Sequence, residues 1–102
     1  MIYSTFPDTA TATQVGERLV RDELAACVNI LPQMTSIYHW EGKLLRDEEA
    51  VMLIKTRSSL ASRVVSEIEA LHPYDTPAVL VLEIASGAQG YLAWLLSQTQ
   101  PV

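Results

Sequence analysis

An α+β domain is the fold class predicted for this chain, with elements in the order β-α-β-β-α-β and a short helix near the C-terminal end. Three observations predict it. Two segments carry apolar residues at helical spacing, and extended, apolar-rich runs precede and follow them. Between the two middle runs stands Glu41-Gly42-Lys43, a tight-turn signal that makes them a hairpin.

Residues 2–6 (Ile-Tyr-Ser-Thr-Phe) read as a short strand stopped by Pro7. Asp8 or Thr9 caps the helix that follows, whose inward face is Ala12, Val15 and Leu19, with Leu24 less regular. Gln14, Glu17, Arg18 and Arg21 fall outside, and Gly16 costs helix propensity of about 1 kcal/mol in return for close packing on a sheet. From Cys27 the pattern is extended, with a break at Pro32 and a second run from Thr35 to Trp40. The return strand is placed at residues 50–56. Ser58 or Ser59 then caps a helix with Leu60, Val64, Ile68 and Leu71 on one stripe, ended by His72-Pro73 because the residue before proline avoids helical backbone. A last long strand is expected over residues 76–85, and a short helix over 91–98 after a turn bracketed by Gly87 and Gly90. Right-handed crossovers turn this order into a four-stranded antiparallel sheet with both helices on one face, the ferredoxin-like split β-α-β arrangement.

The chain has 102 residues, enough for one domain with one core, so residues 1–102 are read as a single unit. Net charge is −5, which argues against nucleic acid, whose phosphates are bound by Lys and Arg, and against anionic membrane surfaces. No run approaches the length of a membrane span. The opening Met-Ile-Tyr-Ser-Thr-Phe-Pro-Asp lacks the basic start and apolar stretch of a secretory signal, so a cytoplasmic protein is expected. The single cysteine, Cys27, excludes an intrachain disulfide.

The strands are apolar on both faces. Ala78, Leu80, Leu82 and Ile84 oppose Val79 and Val81; Val51 and Leu53 oppose Met52 and Ile54; Tyr38 and Trp40 oppose Ile37. Helices cover only one face of such a sheet, and each apolar side chain taken from water contributes about 1.5–3 kcal/mol. Tyr91, Trp94 and Leu95 of the last helix are too few to cover the other face, so a homo-oligomer is expected, with a protruding hairpin free to extend a neighbour's sheet.

Five blocks then stand out: Ala26-Cys27-Val28-Asn29-Ile30, Ser36-Ile37-Tyr38-His39-Trp40-Glu41-Gly42-Lys43, Ile54-Lys55-Thr56, His72-Pro73-Tyr74-Asp75-Thr76-Pro77 and Tyr91-Leu92-Ala93-Trp94. In order and spacing they resemble the divalent-cation-tolerance (CutA) family over nearly the whole chain. The resemblance implies a ferredoxin-like fold, a homotrimer akin to the PII signalling proteins, a cytoplasmic location in bacteria and a role in tolerance of copper and other divalent cations. With no Ser–His–Asp order, P-loop or metal-hydrolase motif in the chain, no enzymatic activity and no required cofactor are expected. Some members bind copper through a first-strand cysteine and a His-His pair; the matching positions here are Ser4, Leu71 and His72, so only His72 remains as a ligand.

Each candidate residue has a plainer alternative. His72 is a metal ligand or a helix-end histidine favoured by the helix dipole. Cys27 reads as a small buried hydrophobe, since no cation stands near it in sequence. Asp47, Glu48 and Glu49 are an outer cation site or a solvated loop beside the hairpin, and His39 is expected to be exposed. Trp40, Glu41, Lys55, Thr56 and Tyr74 form either a pocket at a subunit cleft, where lysine and hydroxyl hold a small anionic metabolite in the manner of a PII-like sensor, or an intersubunit packing patch. An acylphosphatase reading fails because the loop after the first strand, Pro7-Asp8-Thr9, is acidic where an arginine is required, and an RNA-recognition reading fails on charge.

Overall fold

A computed structural model describes residues 1–101 of the chain. The elements are β1 (Ile2–Phe6), α1 (Thr9–Arg21), β2 (Cys27–Trp40), β3 (Lys43–Lys55), α2 (Ala61–Leu71, entered through a 3-10 turn at Ser58–Leu60), β4 (Val79–Val81) and α3 (Gln89–Ser97). The strands form one antiparallel sheet in the order β2-β3-β1-β4, as the split β-α-β topology requires.

Local chemistry sets the helix ends. The Asp8 carboxylate accepts the Thr11 N–H at 2.7 Å and so caps α1, while Arg18 and Arg21 occupy the last turn, where positive charge suits the dipole. That backbone hydrogen bond also holds the Asp8 carboxyl below its usual range. The cap positions differ from expectation: Ser58 and Ser59 lie inside the 3-10 turn, and the residues at the caps are Arg57 and Leu60. His72 ends α2 with extended backbone (φ −76°, ψ 139°), as its position before Pro73 dictates.

The core lies between the helices and one sheet face. Ile2, Phe6, Met52 and Ile54 meet Ala12, Val15 and Leu19 of α1 and Val64 and Ile68 of α2. Gly16 lets α1 sit directly on the sheet: a Cβ there would stand 2.8 Å from Val28 Cγ2 and 3.0 Å from Met52 Sδ, too close without displacing the sheet side chains.

Three further expectations are corrected. β3 begins at Lys43 rather than 50, so Asp47, Glu48 and Glu49 belong to a strand and not to a loop. Pro32 does not divide β2. The strand continues through a register shift between Leu31 and Met34, with Gln33 at φ 58°, and the extra residue exchanges the side-chain faces of the strand. The last strand spans only Val79–Val81, the residues that pair with Ile2, Tyr3 and Ser4 of β1, and is extended by a pair of hydrogen bonds between Met1 and Leu82.

β1 pairs with β3 only over residues 50–54, so residues 43–49 and their partners in β2 project as a two-stranded ribbon. The ribbon closes in a two-residue turn with Glu41 at φ 50° and Gly42 at φ 77°, the primed geometry that matches strand twist. It makes the molecule elongated, 45 × 25 × 21 Å. Ile37, Trp40 and Leu44 on the ribbon are 65%, 60% and 68% exposed, far more than a shielded strand leaves to water.

Candidate functional site

The sheet face away from α1 and α2 carries two polar clusters. The first lies where the ribbon leaves the body. After the shift in β2, Ser36 and Tyr38 share this face with Asp47 and Glu49. Glu49 accepts the Ser36 hydroxyl at 2.7 Å and the Tyr74 phenol at 3.2 Å, and Asp47 accepts the Tyr38 phenol. Tyr74 comes from the loop after α2 and ties it to the ribbon. Burial, followed by the charge and hydrogen bond of Glu49, pushes the Tyr74 phenol up to about 12, and the Asp47 hydrogen bond raises that of Tyr38.

A pH dependence follows. An unfolded tyrosine ionises near pH 10 while folded Tyr74 keeps its proton to about 12, so its contribution is intact below pH 10 and is lost as pH climbs towards 12. In an ultraviolet titration of tyrosinate, Tyr74→Phe removes the latest-ionising component. Curves that superimpose after scaling for tyrosine number would overturn this assignment.

The second cluster lies at the opposite end of β3. Lys55 is paired with Cys27 across the strands. Tyr91 of α3 sits over both: the Lys55 ammonium donates to Tyr91 Oη at 3.1 Å and stands 5.2 Å from the ring centre, and Cys27 Sγ is 3.6 Å from the same oxygen. The Tyr91 hydrogen bond raises the Lys55 pKa. Cys27 is therefore half-buried beside a cation 28 positions away in sequence, a juxtaposition that only strand register reveals.

His72 stands behind the first cluster. It is 8% exposed, stacks on Phe6 (ring centres 4.5 Å apart, 22° between planes) and lies 4.8 Å from the Tyr74 ring. Nε2 donates to the Thr5 carbonyl at 2.7 Å, which assigns the neutral tautomer, and Nδ1 accepts the Tyr74 N–H at 3.1 Å. Both ring nitrogens are thus committed. The other positions matched to family copper ligands do not fit copper either: Ser4 is buried and donates to the Ala78 carbonyl at 2.7 Å, and Leu71 packs against the core. Among the described residues no three His, Cys, Asp or Glu side chains come together as a metal site.

The five residues of the expected cleft pocket do not meet within one chain. Trp40 and Glu41 are at the ribbon tip, whereas Lys55 and Thr56 are at the far end of β3, roughly 40 Å away at about 3.3 Å per residue. Thr56 is buried, its hydroxyl given to the Leu24 carbonyl at 2.6 Å. Tyr74 belongs to the ribbon-root cluster. His39 is exposed, as expected.

A split β-α-β sheet with two helices on one face, a long projecting ribbon and polar clusters on its bare face defines a ferredoxin-like α+β domain. Residues 1–98 match the family described as CutA1 divalent ion tolerance protein, and the chain belongs to that family. It is 40% identical over 100 residues to Protein CutA, chloroplastic, of Arabidopsis thaliana, covering 98% of this chain but 55% of that longer protein. It is 39% identical over 99 residues to the Divalent-cation tolerance protein CutA of Thermus thermophilus, covering 97% of this chain and 96% of that one. The solved Thermus structure superposes with a TM-score of 0.92 over 97% of this chain and 96% of its own. CutA1 from Oryza sativa superposes with a TM-score of 0.95 at 39% identity, over 99% and 93% of the two chains. The expected fold and family are thereby established. No helix among the described residues is long and apolar enough to cross a membrane.

Proposed function

We propose that this protein acts in divalent-cation tolerance as a cytoplasmic homotrimer, with no catalytic role and no resident metal. The observation that carries the reading is the ribbon. A two-stranded hairpin is marginal in water by itself, yet this one extends beyond its own sheet with apolar side chains on both faces. Packing against neighbouring copies removes that surface from water and braces the ribbon. A closed ring of copies also brings one copy's Trp40 and Glu41 towards another's Lys55, completing a cleft that a single chain does not contain.

A divalent cation enters this reading as cargo or signal. With His72 and Ser4 committed to structural hydrogen bonds, the chain does not fit the family copper set, and no step is assigned to that set. Asp47 and Glu49 remain the anionic groups on the bare face.

Native mass spectrometry tests the assembly: the expected species is three copies of the 11.3 kDa chain. A folded monomer at micromolar concentration overturns it. Growth in graded copper salts tests the role: cells lacking the protein are more sensitive and recover when it is restored, and equal growth overturns the proposal.

A further inference from the structure

The ribbon leaves the body of the sheet at one irregularity. Phe6 and Ala50 form the last pair between β1 and β3. On the other side of β3 the ladder to β2 is regular as far as Leu31 and Val51, then resumes at Met34 and Glu49. Three steps along β2 thus match two along β3, and the extra residue lies level with the end of β1. Gln33 takes φ 58°, the left-handed region that a side chain other than glycine occupies at a cost. Pro32 beside it brings no N–H to the ladder. Just past this point the bare face is fastened: Glu49 accepts both the Ser36 hydroxyl and the Tyr74 phenol.

We infer, building on the homotrimer proposed above, that the bulge at Pro32-Gln33 aims the ribbon at a neighbouring copy, with Tyr74 and Glu49 holding the angle it sets. The reason is leverage. A bulge bends its strand and increases the local twist. From Glu49 to Lys43 the ribbon reaches about 20 Å at about 3.3 Å per residue, so a change of about 10° at its root carries the tip roughly 3–4 Å. That is about one interatomic contact distance, and side chains matched to a neighbour at one angle miss it at another. A ribbon aimed before association also loses less freedom on binding. Pairing within one chain does not demand the left-handed residue, because a regular ladder joins the same pairs with one residue fewer. Such backbone strain is retained where a specific geometry is needed.

Sedimentation velocity over a dilution series of the full chain tests this, with hydrogen exchange of β1 and α1 reporting that each variant folds. Gln33→Gly keeps the bulge, relieves the left-handed residue and assembles at least as tightly as the unmodified protein. Deletion of Gln33 combined with Pro32→Thr leaves a regular ladder, and raises the concentration at half-dissociation about tenfold or more. Gln33→Val keeps the chain length but sets a β-branched residue at positive φ, and raises the same concentration about threefold. It decides the matter by comparison with Gln33→Gly where the shortened chain fails to fold. A half-dissociation concentration unchanged in Gln33→Val overturns the assignment, as does a folded shortened chain that assembles like the unmodified protein. Single copies of the unmodified protein at every concentration overturn the homotrimer itself, and the aim of the ribbon with it.

Discussion

Phe6→Ala lowers the free energy of unfolding by about 3–5 kcal/mol, the range for truncating a fully buried aromatic side chain. Phe6 has no exposed surface, and its cross-strand partner is Ala50, so a cavity left there cannot be filled from the adjacent strand. The ring also supports His72, stacked 4.5 Å away, and through it the loop that carries Tyr74 to Glu49. The loss therefore combines core transfer energy with a ring contact of about 0.5–1.5 kcal/mol. Urea unfolding at one fixed protein concentration measures it, the fixed concentration being needed because association of copies contributes to apparent stability. Ile54→Val, at an equally buried position, removes one methylene-sized group and costs about 0.5–1.5 kcal/mol. A Phe6→Ala loss no larger than that of Ile54→Val would remove Phe6 from its place as the central core side chain.

What the sequence makes legible here is what local chemistry decides. β1, α1, α2 and α3 follow from spacing, the Asp8 cap, the proline after His72 and the apolar stripes, none of which needs a distant partner. β4 is different. Residues 78–82 are apolar throughout, which reports strand propensity, but strand length is set by pairing, and β4 pairs with β1 at Ile2, Tyr3 and Ser4. The ribbon errs in the other direction. Arg46, Asp47, Glu48 and Glu49 have poor strand propensity and look like a solvated loop, yet pairing with residues 34–37 of β2 holds them extended. Once they are extended, alternation sends Asp47 and Glu49 to the bare face and Glu48 to the other.

Register hides the candidate site in the same way. The Cys27–Lys55 pair depends on strand alignment, and Tyr91 joins it from a helix 64 positions beyond Cys27. No local pattern encodes such contacts. Of the expected cleft residues, Thr56 is a structural hydroxyl and Tyr74 a clamp on the ribbon, functions visible only through their partners Leu24 and Glu49. The committed nitrogens of His72 are the sharpest case, because sequence marks the residue by its company and structure by its bonds.

His72→Ala is accordingly expected to cost about 2–4 kcal/mol of stability while leaving copper binding unchanged. The imidazole bridges two backbone groups from separate parts of the fold. Thr5 lies one residue beyond the last β1–β4 pair, and His72 supplies a partner for its carbonyl; on the other side Nδ1 receives the Tyr74 N–H. Alanine leaves both groups without that partner and removes a ring packed on Phe6 and Tyr74. A copper ion at either nitrogen must first break one of these bonds in a buried setting, so ligation there competes directly with folding. His72→Gln, which retains a donor for Thr5, recovers part of the loss. Urea unfolding and copper titration of the same metal-free preparations separate the two roles: the proteins differ in the first measurement and agree in the second. Loss of stoichiometric copper binding in a His72→Ala protein of unaltered stability would reverse the assignment and make the imidazole a ligand rather than a strut.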